Sequence, residues 1–319
     1  MGDILIHHWD TDGICSAHLL MKHLGAKIRN ITPQIGNYYL TDEEMDMLGG
    51  FDGIFIVDMA LPEDNIKRLS RSSEVTVYDH HVQSYMDFIH HINPVAKGSR
   101  QEDYPSCTWV LKEHFKIDTD LQVVLGIIGD NEHKIEENRR FYEIVRKFCD
   151  RFSTTLEDLV RAVHLIDSNY KLGKKDAVEK IPHYIGEMSI DDILNCEDWN
   201  RNLETIEKEI ERAMNKRRSV GKNLEMIDIE SPYNVISEIT RRLAWSTGKN
   251  AVVINRGFFP DKSQIYVRTS TTDLSNLISK LKSMGYNVGG KPKVLGAIVP
   301  KNSTDMVVDE VVKFLEGEN

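Results

Sequence analysis

Two short runs carry side chains able to do chemistry, His8-Trp9-Asp10-Thr11-Asp12-Gly13 and Asp79-His80-His81. Each follows an apolar stretch that reads as a buried strand, Ile4-Leu5-Ile6 in the first case and Val75-Thr76-Val77-Tyr78 in the second. Residues two apart in extended chain face the same way, so His8, Asp10 and Asp12 can share one side before Gly13 lets a helix begin. Ile54-Phe55-Ile56-Val57 ends likewise in Asp58, and Leu125-Gly126-Ile127-Ile128-Gly129 leads into Asp130. Alone, an aspartate after an apolar run is ordinarily a helix cap or a turn residue. Four such elements in the first half of one chain point instead to a centre for divalent cations. Carboxylates and imidazoles without thiolate suit Mn²⁺, with Mg²⁺ as the harder alternative. Two ions about 3.5–4 Å apart, bridged by one carboxylate, would polarise a phosphoryl oxygen and activate water.

Positioning these residues requires an α/β framework. Strands are expected at 4–7, 27–32, 53–58, 75–79 and 86–91, with helical spacing between them at 14–23 and 63–72. Strands alternating with helices argue for a parallel sheet covered on both faces, with ligands at the carboxyl ends of its strands. From Ser106 the pattern turns helical, at 108–115, 121–128, 139–151 and 156–166. Residues 197–218 contain no proline or glycine and read as a long, mostly exposed connector helix, with Gly221 just past its end. A second α/β unit follows, with strands expected at 224–229, 251–255, 264–268 and 294–299 and helices at 235–245, 274–284 and 306–315. The expected domains are therefore 1–185, a helical connector over 186–222, and a smaller α/β domain over 223–319.

Composition narrows the function. The chain has 319 residues and a net charge of −10, at first sight a poor match for a polyanion. The distribution says otherwise. Residues 1–220 carry 27 basic and 39 acidic side chains, whereas 241–301 carry eleven basic residues against only Asp261 and Asp273. An acidic half for cations and a basic stretch for phosphates suit one enzyme acting on nucleic acid. Within that stretch, Gly289-Gly290-Lys291-Pro292-Lys293 offers backbone N–H groups and charge to an anion, although paired glycines most often mark a turn. The four cysteines form no C-x-x-C pair and read as small buried hydrophobes. There is no P-loop and no zinc-finger spacing. Without a basic leader or a membrane-length apolar run, a cytoplasmic location and no membrane partner are expected.

The order HxDxDG, strand-end Asp, DHH and GD resembles the DHH phosphoesterase superfamily over residues 3–135. That resemblance implies a DHH-type catalytic domain joined through the connector to a DHH-associated C-terminal domain. It implies His8, Asp10 and Asp58 on one metal, and Asp12, Asp58, His80 and Asp130 on the other, with Asp58 bridging two Mn²⁺ ions. His7 stands beside His8 and is the alternative first ligand. His8 is favoured because its spacing to Asp10 is that of RecJ-like archaeal sequences. By the same resemblance His81 contacts the scissile phosphate or assists the leaving group, and Asp79 orients a neighbouring imidazole. Gly289, Gly290 and Lys291 resemble the GGH-containing motif of the C-terminal domain, with lysine where histidine is usual, and Arg268 and Ser270 resemble its phosphate-binding strand. The group most similar is the archaeal RecJ-like single-strand exonucleases, including the Hef-associated nuclease type. The activity implied is a 3′→5′ exonuclease on single-stranded DNA or RNA in repair or replication, with a repair helicase or nuclease partner and self-association as further expectations. The alternative is an oligoribonuclease, small-nucleotide phosphodiesterase or adenosine bisphosphate phosphatase. A third reading is a scaffold that has lost catalysis, against which every expected ligand position carries a competent residue.

Overall fold

The computed structural model describes residues 2–25 and 28–317. Lys27, expected to open a strand, lies outside them, as do the domain limits at 1 and 318–319. The chain divides into two compact units, Met1–Tyr170 with Lys174–Leu203, and Lys171–Gly173 with Glu204–Asn319. Among the described residues no helix is long and apolar enough to cross a membrane.

The first unit is built on five parallel strands: β1 (Ile4–His7), β2 (Arg29–Ile31), β3 (Gly53–Val57), β4 (Glu74–Tyr78) and β5 (His90–Ile92). Their spatial order is β2-β1-β3-β4-β5, so the chain reverses its winding between β1 and β3. Crevices at such a reversal are where open α/β sheets bind ligands. All of β1 is buried, as expected for a strand covered on both faces. Helices α1 (Thr11–Leu24), α2 (Asp42–Leu48) and α3 (Glu63–Leu69) connect the strands, and α4 (Cys107–Phe115), α5 (Leu121–Asn131), α6 (Arg139–Phe152), α7 (Leu156–Lys171), α8 (Lys175–Lys180), α9 (Ile190–Leu194) and α10 (Glu197–Met214) follow.

Two helix starts show how local sequence sets the geometry. Asp10 caps α1 by accepting from the Gly13 N–H at 3.1 Å. A side chain at Gly13 would put its Cβ 2.5 Å from both the Cβ and the carbonyl oxygen of His8, so only glycine lets α1 begin this close to β1. At α2, Thr41 and Glu44 form a reciprocal capping box, a signal present in Thr41-Asp42-Glu43-Glu44.

The second unit holds a six-stranded mixed sheet: β6 (Arg218–Val220), β7 (Leu224–Ile229), β8 (Asn250–Asn255), β9 (Lys262–Arg268), β10 (Asn287–Lys291) and β11 (Val294–Pro300). Its order is β10-β11-β9-β8-β7-β6. Only β7 and β8 pair parallel. Side chains alternate between two cores. Val252 and Ile254 join Leu277 and Leu281 of α12 (Ser275–Ser283) and Val307 and Val311 of α13 (Thr304–Glu316). Ala251 and Val253 join Ile239 and Leu243 of α11 (Ile236–Thr247) and Ile206 and Ile210 of α10.

Three expectations change. Residues 86–91 do not form one strand, because the Met86 N–H donates to His91 Nδ1 at 3.1 Å and turns the chain before β5. The helix expected at 197–218 ends at Met214, and Arg218 already pairs with Met226. Nor is that helix mostly exposed, since Trp199, Ile206, Ile210 and Ala213 are all buried. Gly289, Gly290 and Lys291 lie in β10, at the edge of the sheet. They pair with Gly296, Leu295 and Val294. A Cβ at Gly290 would meet the Val294 carbonyl oxygen at 2.0 Å, so this glycine serves strand approach.

Candidate metal centre

The β1–β3–β4 ladder continues one step beyond its register, and that step builds the site. His7 pairs with Val57, and Val57 with Tyr78. The next three residues, His8, Asp58 and Asp79, donate backbone N–H bonds to Val57 at 3.3 Å, Tyr78 at 3.0 Å and Ile92 at 3.1 Å. Three adjacent strands thus release their polar residues at one level. Asp58 leaves β3 with φ of 60°. This left-handed conformation is one aspartate and asparagine tolerate better than most residues.

Two donor groups result, His8 with Asp10 and Asp58, and Asp12 with His80 and Asp130. Asp58 stands between them. Its Oδ2 lies 3.8 Å from His8 Nδ1 and its Oδ1 lies 3.4 Å from His80 Nε2. His80 Nε2 also lies 3.0 Å from Asp130 Oδ2 and 3.8 Å from Asp12 Oδ2. A further group joins Asp58, Asp79, His80 and His81. The six residues expected as ligands therefore converge, although more than a third of the chain separates the first, His8, from the last, Asp130.

Supporting contacts fix each group. Asp12 is fully buried at the start of α4, its Oδ2 accepting from the Cys107 N–H at 2.6 Å and its Oδ1 from the Thr108 N–H at 3.0 Å. A helix N-terminus is the natural seat for a buried carboxylate. Opposite it stands Gly126 of α5, where a Cβ would come within 2.4 Å of Asp12 Oδ1. His80 Nδ1 donates to the Tyr104 carbonyl at 3.2 Å, which turns Nε2 toward the acids. Asp79 accepts from His81 Nδ1 at 2.7 Å and from Gln83 Nε2 at 2.5 Å. The Asp167 carboxylate on α7 accepts from both the Thr11 N–H at 2.9 Å and its hydroxyl at 2.7 Å.

His7 is occupied elsewhere. It donates from Nδ1 to the His8 carbonyl at 2.7 Å and accepts at Nε2 from the Asn30 amide at 3.0 Å. The alternative between the two histidines is thus decided geometrically in favour of His8 as the imidazole facing the acids. Burial holds His7 down to a pKa of about 4.

The electrostatics describe a site short of positive charge. Burial and then the neighbouring Asp130 push Asp12 up to about 6. Burial, followed by Asp12, Asp10 and Asp130, drives Asp58 well above the ordinary carboxylate range. Burial opposes charge on His80, but Asp130 and Asp12 outweigh it and raise its pKa well above normal. Asp10 shows the opposite balance, since His8 overrides burial and holds it near 2. Three buried atoms, His8 Nδ1, Asp58 Oδ1 and His80 Nε2, make no well-directed hydrogen bond, although His8 Nδ1 lies 2.7 Å from Asp10 Oδ2 and His80 Nε2 lies 3.0 Å from Asp130 Oδ2. Buried polar atoms are rarely left so. Hard oxygen and imidazole donors converging with three of them unsatisfied fit divalent cations.

The residues expected to bind substrate stand in the second unit. Arg268 closes β9, level with Val294, which is level with Lys291. The Arg268 Nε is buried without a partner, while Ser270, Gly289, Gly290 and Lys291 are exposed. Sequence reasoning missed Tyr104, Asp167, Gln83 and Asn30. Gln83 follows DHH closely enough to have been a candidate, whereas Asp167 lies 156 residues from Thr11 and leaves no local signal.

The N-terminal domain of the DHH family matches residues 4–135. Comparison with curated proteins found no match. Among solved structures, RecJ from Thermus thermophilus in complex with Mn²⁺ superposes with a TM-score of 0.71 at 15% identity, over 99% of this chain and 52% of that one. The chain thus spans about half the length of that protein. The DHH domain of a member of a ribosomal-protein family gives 0.68 at 18% identity, covering 98% and 87%. A pGpG-specific phosphodiesterase from Vibrio cholerae gives 0.56 at 16% identity, covering 100% of both chains.

Proposed function

We propose that this chain, whose residues 4–135 match the N-terminal domain of the DHH family, is a Mn²⁺-dependent phosphodiesterase acting as an exonuclease on single-stranded DNA or RNA. One observation carries the reading. Asp58 offers one oxygen to each of two donor groups, and His8 Nδ1, Asp58 Oδ1 and His80 Nε2 are buried there without a well-directed hydrogen bond.

His8, Asp10 and Asp58 would hold one cation, and Asp12, Asp58, His80 and Asp130 the other, with Mg²⁺ as the alternative ion. When bound, such a pair supplies Lewis-acid polarisation of a phosphoryl oxygen and lowers the pKa of water. The rest falls to the protein. Asp79 fixes the His81 tautomer with the proton on Nδ1, which leaves Nε2 to exchange a proton with the leaving oxygen. The His81 side chain is 44% exposed, so substrate can reach it. Tyr104 and the start of α4 hold His80 and Asp12 in place, so the acids do not reorganise as charge builds on phosphorus. In the second unit, Arg268, Ser270, Gly289, Gly290 and Lys291 are assigned to the nucleic-acid backbone, which makes binding weaken with salt. The expected polarity is 3′→5′, with a role in repair or replication.

A second reading, a phosphodiesterase of dinucleotides or short oligoribonucleotides, is favoured by extent. The Vibrio cholerae phosphodiesterase matches this chain end to end, whereas Thermus RecJ is about twice as long. Oligonucleotides labelled at either end, compared with a dinucleotide in Mn²⁺ and in Mg²⁺, decide between them. Progressive shortening from the 3′ end supports the exonuclease, and hydrolysis of the dinucleotide alone supports the second reading. If neither substrate is cut with either ion, both readings fall.

A further inference from the structure

The segment between β2 and α2 turns an aromatic ring outward beside the metal centre. Tyr38 is 64% exposed, unusual for so large a ring, and it is not carried on a loose tip. Its neighbours Ile35, Asn37 and Leu40 are all buried. Asn37 donates from its backbone to Gln34 at 2.9 Å and from its amide to Gln34 Oε1 at 2.7 Å, and the Leu40 N–H is held by Asn65 at 2.9 Å. The anchored loop therefore presents Tyr38 by construction.

The ring also has a defined relation to the donor set. Its centroid lies 6.1 Å from that of His8 with planes 28° apart, and 5.3 Å from that of buried Trp9. Trp9 in turn lies 4.3 Å from His8. Three rings thus lead from the interior, past an imidazole facing the carboxylates, to solvent. A nucleobase stands one sugar away from its own phosphate, the same scale of separation as that between His8 and Tyr38. An exposed tyrosine can stack on any base, because every base has a π-face.

We propose that Tyr38 stacks on the nucleobase adjoining the phosphoester held at the His8–Asp10–Asp58 group, so that the substrate is selected as a nucleotide rather than as a bare phosphate ester. The inference rests on the phosphodiesterase reading for its placement of the phosphate. Stacking of this kind spans about 5- to 150-fold by alanine substitution. The cost of removing the ring falls on KM, since the contact is made equally before and during reaction.

The test compares Tyr38→Ala, Tyr38→Leu and Tyr38→Phe on single strands whose terminal nucleotide is either intact or abasic. The alanine and leucine variants should raise KM within that range on the intact strand, Tyr38→Phe should stay near wild type, and the differences should vanish on the abasic strand. A second measurement needs no turnover. A terminal 2-aminopurine should lose fluorescence on binding in Ca²⁺ buffer to wild type and Tyr38→Phe, but not to Tyr38→Ala. If quenching depends on the ring while no Mn²⁺ or Mg²⁺ hydrolysis is found, the stacking site stands and the catalytic reading fails. Equal penalties on intact and abasic strands, or quenching indifferent to the ring, overturn the proposal.

Discussion

Asp58→Asn is expected to stabilise the metal-free protein while removing its response to metal. The Asp58 side chain is 2% exposed, and its ligand oxygen lies within 4.8 Å of that of Asp10. Two charges at that distance repel by about 3 kcal/mol at an effective dielectric constant of 20. Asp12 and Asp130 act in the same direction, and the direction of the Asp58 shift shows that they and burial outweigh the two imidazoles. A carboxylate whose folded-state pKa lies above its unfolded value costs stability once the pH exceeds the unfolded value. Near neutrality the ionised group is therefore a burden, and a neutral amide of the same shape should recover about 1–3 kcal/mol. Asparagine is the right probe because it keeps the left-handed backbone at 60°. Alanine there would add about 1–2 kcal/mol of backbone strain and blur the result. Urea unfolding in EDTA and in excess Mn²⁺ measures both terms. Wild type should gain about 2.7 kcal/mol at a hundredfold excess over Kd, and the variant only a fraction of that. The order of stability should thus reverse between the two buffers. A variant less stable than wild type in EDTA would refute the reasoning, because Asp58 would then be a net partner of His80 rather than a waiting ligand.

Other outcomes follow from the same geometry. His7 has its folded-state pKa lowered from 6.5 to about 4, so the unfolded chain binds its proton first and stability falls as pH drops between those values, by about 3 kcal/mol. In unfolding curves across that window, the difference between wild type and His7→Asn should show this slope, and a flat difference would contradict it. Asp79→Asn should lower kcat by about 10²–10⁴-fold while Mn²⁺ affinity by calorimetry stays close to wild type, since the lost contact orients His81. Gly126→Ala would press a methyl group against Asp12 and Thr108 and should cost about 1–3 kcal/mol together with metal affinity. Unchanged melting in both EDTA and Mn²⁺ would show that α5 yields freely.

Much of this protein was legible in residue order alone. Buried parallel strands announce themselves as short apolar runs, and local pattern singled out His8, Asp10, Asp12, Asp58, His80 and Asp130, which the structure brings into two adjoining donor groups. Helix caps were equally local, as Asp10 and Thr41 show. What required tertiary structure was every choice settled by a distant partner. His7 and His8 look alike in sequence, and only Asn30, brought alongside by the β1–β2 pairing, removes one of them from the site. The paired glycines, whose local pattern most often marks a turn, lie in an edge strand because β11 pairs with them, and hydrogen bonding to a neighbouring strand cannot be seen within the segment itself. The charge balance that raises Asp58 belongs to no element on its own. It exists only where three strand ends and two helices bring four carboxylates and two imidazoles together, and sequence records the kinds of those groups but not the distances between them.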